Sequence, residues 1–582
     1  MKAVQKGTID TYIRRVTYFL GLVAICSLIL DYGFYTSEKI NFVLLVLDEV
    51  IAALFVISIL TRFFLSSRKL QYIKESPVEF ILLIIFILSI VIEEIFAVEE
   101  PHYLMTRTAS HNFIKLYFVL IQVYIVANAI VTITKSRDRW LYVSLKPARI
   151  IIFSYFLVTL LGSCLLKLPR ATFEGISWID AFFTSASAIC VTGLTTLNVA
   201  DKFTVEGQAI ILFLIQVGGL GIITITSIIT LFLHRGLRLK DELIVQQILE
   251  DNNLNSLTSI LKAIIFITLL FELVGAIGLY LALDPMQLSE FDRLFAATFH
   301  SISAYCNAGF SNLPDGFQSS TISSSTLILV IVMILIIAGG IGFYTITDLF
   351  GMKTNLLARK KGLSLQTKII VYSSLGLIIV GAIFIWLLEM PQWSNLPAKQ
   401  QILNAVFTSV TSRTAGFSIV DIHAMIIPAL LFVIFLMYIG GAPNSTSGGI
   451  KITTAITLMA SFWAFVRGKD RVEIGWNTIN MLIIRRAFIV FVLSILLLFI
   501  SLLLLTITES FSFFDLFFET VSAFGTVGLS RGITPDLSVW GKIIIIIVMF
   551  LGRIGLFTVA IALGEEINQA QYRYPETTII VG

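Results

Sequence analysis

Charge is scarce in this chain: Asp, Glu, Lys and Arg together make up 13% of 582 residues, and histidine occurs only five times. A soluble globular domain carries roughly a quarter of its residues as ionisable side chains, so that class is excluded. The four cysteines, Cys26, Cys164, Cys190 and Cys306, show no CxxC spacing. They indicate neither a zinc site nor a disulfide framework and read as small buried hydrophobes. The five histidines, His102, His111, His234, His300 and His423, match no catalytic spacing such as HExxH. A polytopic membrane enzyme is therefore a weak reading. No GxGxxG follows a strand, so any nucleotide control must come from another polypeptide. The net charge of +4 lies in short segments between apolar runs and does not mark a nucleic-acid binder.

Apolar residues are abundant instead, at 57% of the chain with a mean hydropathy of +0.92. These values predict an all-α integral membrane protein. Lys2, Lys6, Arg14 and Arg15 precede an apolar stretch with no small-residue cleavage site after it, which reads as a retained first helix. Four apolar runs, near 16–31, 42–61, 78–95 and 113–134, fill an N-terminal region of residues 1–147. Arg62, Arg68, Lys69 and Lys74 follow the second run; Lys135, Arg137, Arg139, Lys146 and Arg149 follow the fourth; Glu93, Glu94, Glu99 and Glu100 follow the third. Basic segments stay in the cytoplasm, so the N-terminus is expected inside. Asp48, Glu49 and Glu93 invite a voltage-sensor reading, but the fourth run lacks an arginine at every third position. A scaffold or interface role is expected.

The rest of the chain is organised around one motif. FTSASAICVTGL (183–194), FHSISAYCNAGF (299–310), FTSVTSRTAGF (407–417) and FETVSAFGTVGL (518–529) each open on Phe and close on Gly followed by Leu or Phe. The glycine stands ten residues after the Phe in three copies and nine in the third. Each copy joins an amphipathic piece too short to cross a bilayer to a flexible segment, the pattern of a re-entrant pore loop. Irregular backbone at membrane depth persists only where it is buried in protein or lines a watery path, and a passing cation can partner its carbonyls. Four such copies predict one ring built from Gly193, Gly309, Gly416 and Gly528.

Four units of helix, pore loop and helix are expected at 148–243, 244–362, 363–478 and 479–582. Their outer helices begin near Arg149, Leu261, Lys368 and Ile484, and their inner helices near Glu206, Ser323, Ile422 and Ser538. Every segment between units is basic: Arg235, Arg238 and Lys240; Lys353, Arg359, Lys360, Lys361 and Lys368; Arg467, Lys469, Arg471, Arg485 and Arg486. All are expected in the cytoplasm, so all four loops dip in from outside.

The inner helices carry glycine clusters: VGGLGI (217–222), AGGIGF (338–343), IGGAPNSTSGGIK (439–451) and LGRIGLFT (551–558). In the first two copies these read as close helix contacts. The third includes Gly440, Gly441, Pro443, Asn444, Ser445, Thr446 and Ser447 and is expected to unwind in mid-membrane, facing the path. Arg553, read as lying mid-helix, needs a partner there. Carbonyls or hydroxyls of the 440–449 segment are expected to supply one, forming a gate or a structural pin. Arg413 and Glu519, charged residues within the pore loops, are expected to brace them from behind.

VTGL at Val191, CNAGF at Cys306, SRTAGF at Ser412, GTVGL at Gly525, the broken third inner helix and the arginine in the fourth resemble the Trk/Ktr/HKT superfamily of potassium transporters, especially the bacterial TrkH and KtrB translocating subunits. The resemblance runs from about residue 148 through the tail RYPETTIIVG (573–582). It implies four M1-P-M2 repeats around one pore, a homodimer, an intramembrane gating segment, and a cytoplasmic RCK-type regulatory subunit of the TrkA/KtrA kind. It also implies a bacterial cytoplasmic membrane location. The four N-terminal helices depart from the usual bacterial members, which have none or two.

The implied potassium filter comprises Val191, Thr192, Gly193, Asn307, Ala308, Gly309, Thr414, Ala415, Gly416, Thr526, Val527 and Gly528. No carboxylate lies among them, so the ion meets neutral carbonyl dipoles, which suit potassium better than divalent ions. In plant members a serine at the first filter glycine accompanies sodium transport, and Gly193 argues for potassium. The alternatives are a sodium-permeable cation transporter and a symporter coupled to protons or sodium. With Arg553 read as the only clear ionisable residue in mid-helix, gated conduction is preferred.

Overall fold

The computed structural model describes residues 19–31, 33–35, 37–65, 69, 80, 83–84, 147–221, 257–286, 288–350 and 363–563. Most of the 78–95 run, the 113–134 run, the basic residues of the first two segments between units up to Lys361, and the 573–582 tail lie outside the described residues. From residue 147 on, the described elements are helices joined by loops, with one short antiparallel hairpin, Glu473–Ile474 with Asn477–Thr478.

A long helix, a short one and a third follow one another four times. The first set is α1 (Pro147–Leu166), α2 (Trp178–Ile189) and α3 (Val205–Leu220). The second is α4 (Leu257–Ala282), α5 (Glu290–Tyr305) and α6 (Thr326–Ile341), continued by α7 (Phe343–Leu349). The third is α8 (Leu365–Glu389), α9 (Ala398–Thr411) and α10 (Ile427–Tyr438), continued by α11 (Ile452–Val466). The last is α12 (Met481–Thr508), α13 (Phe513–Gly525) and α14 (Val539–Ile554), continued by α15 (Leu556–Leu563).

Among the described residues, Lys39–Thr61, Leu261–Ala282, Leu365–Glu389 and Met481–Thr508 are long and apolar enough to cross a bilayer. Leu269, Leu273 and Ile277 on α4, and Ile495, Phe499 and Leu503 on α12, remain exposed, as expected of side chains turned to lipid tails. The short helices behave differently. With 12 to 16 residues they extend about 18–24 Å, less than the roughly 30 Å hydrocarbon core. Within them the motif phenylalanines Phe183, Phe299, Phe407 and Phe518 are fully buried.

Local chemistry fixes where the short helices start. Ser177, Ser289 and Ser512 are N-caps whose hydroxyls accept from the backbone N–H of Asp180, Asp292 and Asp515 at 3.1, 3.1 and 3.2 Å. A Ser followed three residues later by Asp satisfies a free amide and places negative charge at the positive end of the helix. The third helix begins after Pro397 without a side-chain cap. Carboxylates at the ends of two long helices then anchor the third helix of the same set. Glu389 accepts from Ile426 N–H at 2.9 Å, and Glu509 accepts from Ser538 N–H at 3.2 Å.

Three expectations need correction. The third helix of each set was expected to unwind only in the third copy, yet α3 ends at Gly221, α6 breaks into α7 at Gly342, and α14 breaks into α15 at Gly555, with φ of 81°, 78° and 89°. At Gly342 the chain bends by 101°. Only glycine enters that backbone region without strain, and it serves here as a hinge residue. Arg553 is consequently not in mid-helix but in the last turn of α14. Burial of all four cysteines holds for Cys190 and Cys306, whereas Cys26 and Cys164 are exposed, because an apolar outer surface accepts a thiol as readily as a core does.

The N-terminal region docks on the first set through Arg170. Its backbone N–H donates to the Gly33 carbonyl at 3.1 Å and its guanidinium to the Asp31 carbonyl at 2.6 Å. Ser27 donates to Asp48 at 2.5 Å, an interhelical polar contact of the kind that holds membrane helices together.

Candidate cation pathway

The four motif glycines meet. A methyl group built on Gly193 would lie within 3.2 Å of the Gly309 Cα, one on Gly309 as close to Gly416, one on Gly416 as close to Gly528, and one on Gly528 as close to Gly193. The circuit closes. Each such methyl would also come under 3.0 Å from a backbone carbonyl oxygen, of Ala308, Ala415, Val527 and Thr192 in turn. The glycines have φ of 90°, 67°, 79° and 92°. Side chains are excluded twice over, by space and by conformation.

Two residues before each glycine the backbone again takes positive φ, at Val191 (55°), Asn307 (59°), Thr414 (74°) and Thr526 (49°). Non-glycine residues rarely hold that conformation, and each costs of order 1–3 kcal/mol that the surroundings must offset. Hydroxyls of the short helices do part of this. Ser187 and Ser522 accept from the N–H of Gly193 and Gly528 at 3.1 and 3.2 Å. Ser303 and Thr411 donate to the carbonyls of Phe310 and Phe417 at 2.8 and 2.7 Å. A second row, Ser185, Ser301 and Ser409, donates outward to carbonyls of Thr159, Glu272 and Ile378 on the long helices at 2.8, 2.6 and 2.9 Å. The sequence displayed these serines as a repeated feature without showing that one row holds the ring segment and the other the outer helix.

The one-residue deletion in the third copy has a local solution. Thr192, Ala308 and Val527 close a turn onto Ser187, Ser303 and Ser522, five residues back, whereas Ala415 N–H reaches Thr411, four back, at 2.9 Å. The short helix simply ends sooner. All four end within three residues of the ring segment, so the negative ends of their dipoles lie beside it. The hydroxyls of Thr192 and Thr526 are buried there without a protein hydrogen-bond partner. With no Asp or Glu among the twelve ring residues, the site offers neutral oxygens.

Residues 439–451 leave helical geometry between α10 and α11 and lie against the ring. Thr414 donates to the Ser447 hydroxyl at 2.6 Å, and the Asn307 amide meets the same hydroxyl at 3.3 Å. A Cβ on Gly448 would strike the Thr526 side chain. The segment is held in place by backbone bonds from Ala442 N–H to Gly340 O at 2.9 Å and from Gly440 N–H to Ile450 O at 2.8 Å. Asn444 takes φ of 57°. Ser445 folds back onto the Ala442 carbonyl at 2.6 Å.

Arg553 donates to the carbonyl of Thr446 and, through its other terminal nitrogen, to that of Gly218 in α3. Lys451 donates to the adjacent Ser447 carbonyl at 2.5 Å. Two basic side chains therefore hold consecutive carbonyls of one unwound segment; Lys451 was not singled out from sequence, because it reads there as an ordinary helix-start lysine. The motif register sets Arg553 beside Gly219, Gly340 and Gly441, each second in its own glycine cluster. Gly218, Gly339 and Gly552 pack against the carbonyls of Ile189, Tyr305 and Phe524 at the ends of the short helices, so these glycines do serve close contact.

Arg413 turns away from the ring to α8, donating to the Ser374 carbonyl and hydroxyl, both at 3.3 Å. Glu519 accepts from Thr534, beyond the ring segment. Glu272 escaped the sequence reading although it is buried in the middle of α4. Arg553 is thus not the sole ionisable residue at depth, and only neighbours distant in sequence, Gln216 and Cys306, reveal it.

A family model described as TrkH, cation transport protein, matches residues 117–573. The Ktr system potassium uptake protein B of Bacillus subtilis is 38% identical over 453 residues, covering 77% of this chain and 100% of that protein. The potassium/sodium uptake protein NtpJ of Enterococcus hirae is 34% identical over 465 residues, covering 78% and 100%. The crystal structure of the potassium transporter TrkH from Vibrio parahaemolyticus superposes with a TM-score of 0.61 at 19% identity, covering 84% of this chain and 98% of that one, a likeness of fold. The family comprises multi-pass membrane transporters, not enzymes. On the matched span and the identity to its relatives, the chain belongs to the TrkH family of cation transport proteins.

Proposed function

We propose that this chain takes up potassium through a single pore formed by four M1-P-M2 units, at 148–243, 244–362, 363–478 and 479–582, behind four additional N-terminal helices. The observation that supports this most directly is the closed circuit of Gly193, Gly309, Gly416 and Gly528. The filter is the set of twelve residues around that circuit, and potassium is the transported ion, coordinated by neutral oxygens. The gate is the unwound segment with Gly440, Gly441, Asn444, Ser445, Thr446 and Ser447, held by Arg553. Its guanidinium opposes cations beneath the filter until the segment moves. Arg413 and Glu519 brace the pore loops.

The relative from Bacillus subtilis is named for potassium uptake, which agrees with this reading. One relative is named for potassium and sodium, so sodium permeability is the second reading; symport with protons or sodium is the third. The protein sits in a bacterial cytoplasmic membrane with its N-terminus inside, works as a homodimer, and is controlled by a separate RCK-type subunit that carries any nucleotide. Growth of an uptake-deficient strain on limiting potassium, with the chain alone and with candidate RCK subunits, tests substrate and partner together. No rescue in either case, with the protein present in the membrane, would reject potassium uptake. In proteoliposomes, passive Nernstian potassium flux supports a channel, and uphill accumulation driven by a proton or sodium gradient contradicts it.

A further inference from the structure

Between the first two units lies a polar cluster that neither the glycine circuit nor the arginine clamp uses. Glu272 stands in the middle of α4, 6% exposed, on a helix otherwise apolar enough to cross a membrane. Its carboxylate accepts from Gln216 Nε2 of α3 at 3.2 Å, and the Cys306 thiol lies 4.0 Å from its other oxygen and 3.8 Å from Gln216 Oε1. Tyr305, stacked on Phe271, turns its hydroxyl toward Thr268, one helical turn from Glu272. From α6 the packed side chains are Leu335 and Ile331, set on Gly275 and Gly278. Asp348 of α7 is engaged with Ser364 at 3.0 Å. The titratable groups facing Glu272 are thus Cys306 and Tyr305, and among the described residues no lysine or arginine pairs with it.

One cation is bound to the same helix as Gln216. Gln216 lies two residues before Gly218, whose carbonyl holds Arg553. Glu272 is buried, and the field of a buried charge is screened less than that of an exposed one. An ionised Glu272 therefore favours Arg553 in its place against α3, and with it the bond to Thr446.

We propose that Glu272 is a proton-binding site that sets the gate. The carboxylate takes up one proton to become the neutral acid, no other bond is made or broken, and the negative charge that steadies Arg553 is removed. The Thr446 carbonyl is then released more easily and the segment opens. Glu272 is a positioning residue that touches no ion. The inference rests on the gating role proposed for Arg553.

Potassium flux into proteoliposomes, with equal pH on both sides, tests it across the mildly acidic to mildly alkaline range. Acidification should raise wild-type flux about fivefold, the lower end of typical coupling between sites. Glu272→Gln should be flat at the acid level. Gln216→Leu removes the amide donor that favours the ionised form, so its profile should shift to higher pH. A flat wild-type profile, or one that Glu272→Gln reproduces, overturns the proposal while leaving potassium transport intact. Absence of potassium flux in the wild type would instead sink the functional reading, and this inference with it. Should Glu272→Gln fail to assemble, an unshifted Gln216→Leu profile rejects the site.

Discussion

Arg553 reaches from the last turn of α14 to the Thr446 carbonyl, so one guanidinium ties the inner helix of the fourth unit to the unwound segment of the third. The same side chain holds Gly218, which brings the first unit into the clamp. Hydrogen bonds to a charged donor contribute about 1.5–3 kcal/mol each. Arg553→Ala should therefore raise basal potassium leak by about tenfold or more, read as flux in proteoliposomes without any regulatory subunit. Unchanged flux and unchanged gating would show that the arginine is only a pin.

Gly193→Ser should break ion discrimination. The position has φ of 90°, and any Cβ there crowds the Ala308 carbonyl and the Gly309 Cα. Strain of about 1–3 kcal/mol displaces the ring segment and should lower the potassium-over-sodium preference about tenfold in paired uptake assays. Full retention of selectivity would count against the filter assignment.

Ser187→Ala and Ser522→Ala should act alike, because each removes the acceptor for a ring glycine N–H. A buried N–H left without a partner costs about 1–3 kcal/mol. Discrimination should fall several-fold while the protein still assembles. Ser185→Ala, which loses a bond to the Thr159 carbonyl on α1, should instead lower thermal stability with little change in selectivity.

Lys542→Ala should destabilise the protein by about 1–3 kcal/mol, more than an ordinary surface pair. Its ammonium sits 2.9 Å from Asp180, both side chains being at most 16% exposed, and the pair joins α14 to α2. A double-mutant cycle with Asp180→Asn in a thermal unfolding assay measures the coupling; a value near zero would show the pair to be incidental.

Arg413→Gln should reduce the amount of folded protein in membranes, since the guanidinium ties the segment after α9 to Ser374 of α8. An assembled mutant with reversed ion preference would place Arg413 at the ion instead.

The glycines were legible in the sequence because the same residue recurs at the same place in four copies, where a positive φ and a crowded axis favour glycine over any residue with a side chain. The partner of Arg553 was legible because few unsatisfied acceptors exist at membrane depth, and an interruption such as 440–449 has to supply them. The helix end at Gly221 and the breaks at Gly342 and Gly555 were missed because the same glycines also fit close helix packing, and sequence does not separate a small residue used for space from one used for its φ. Glu272 went unnoticed because one acid within an apolar run carries no periodic signal; Gln216 lies 56 positions away. The onset of α10 at Ile427 instead of Ile422 follows from Pro428, which suits the first turn and fixes the start.

That all four quadrants belong to one polypeptide has a consequence for Arg553. A tetramer of identical subunits would have to repeat any substitution four times, and guanidiniums in the register of Gly219, Gly340 and Gly441 would crowd a common lumen with mutually repelling cations. A single chain carries no such symmetry constraint, so an arginine can stand in one repeat while the other three keep glycine at that place.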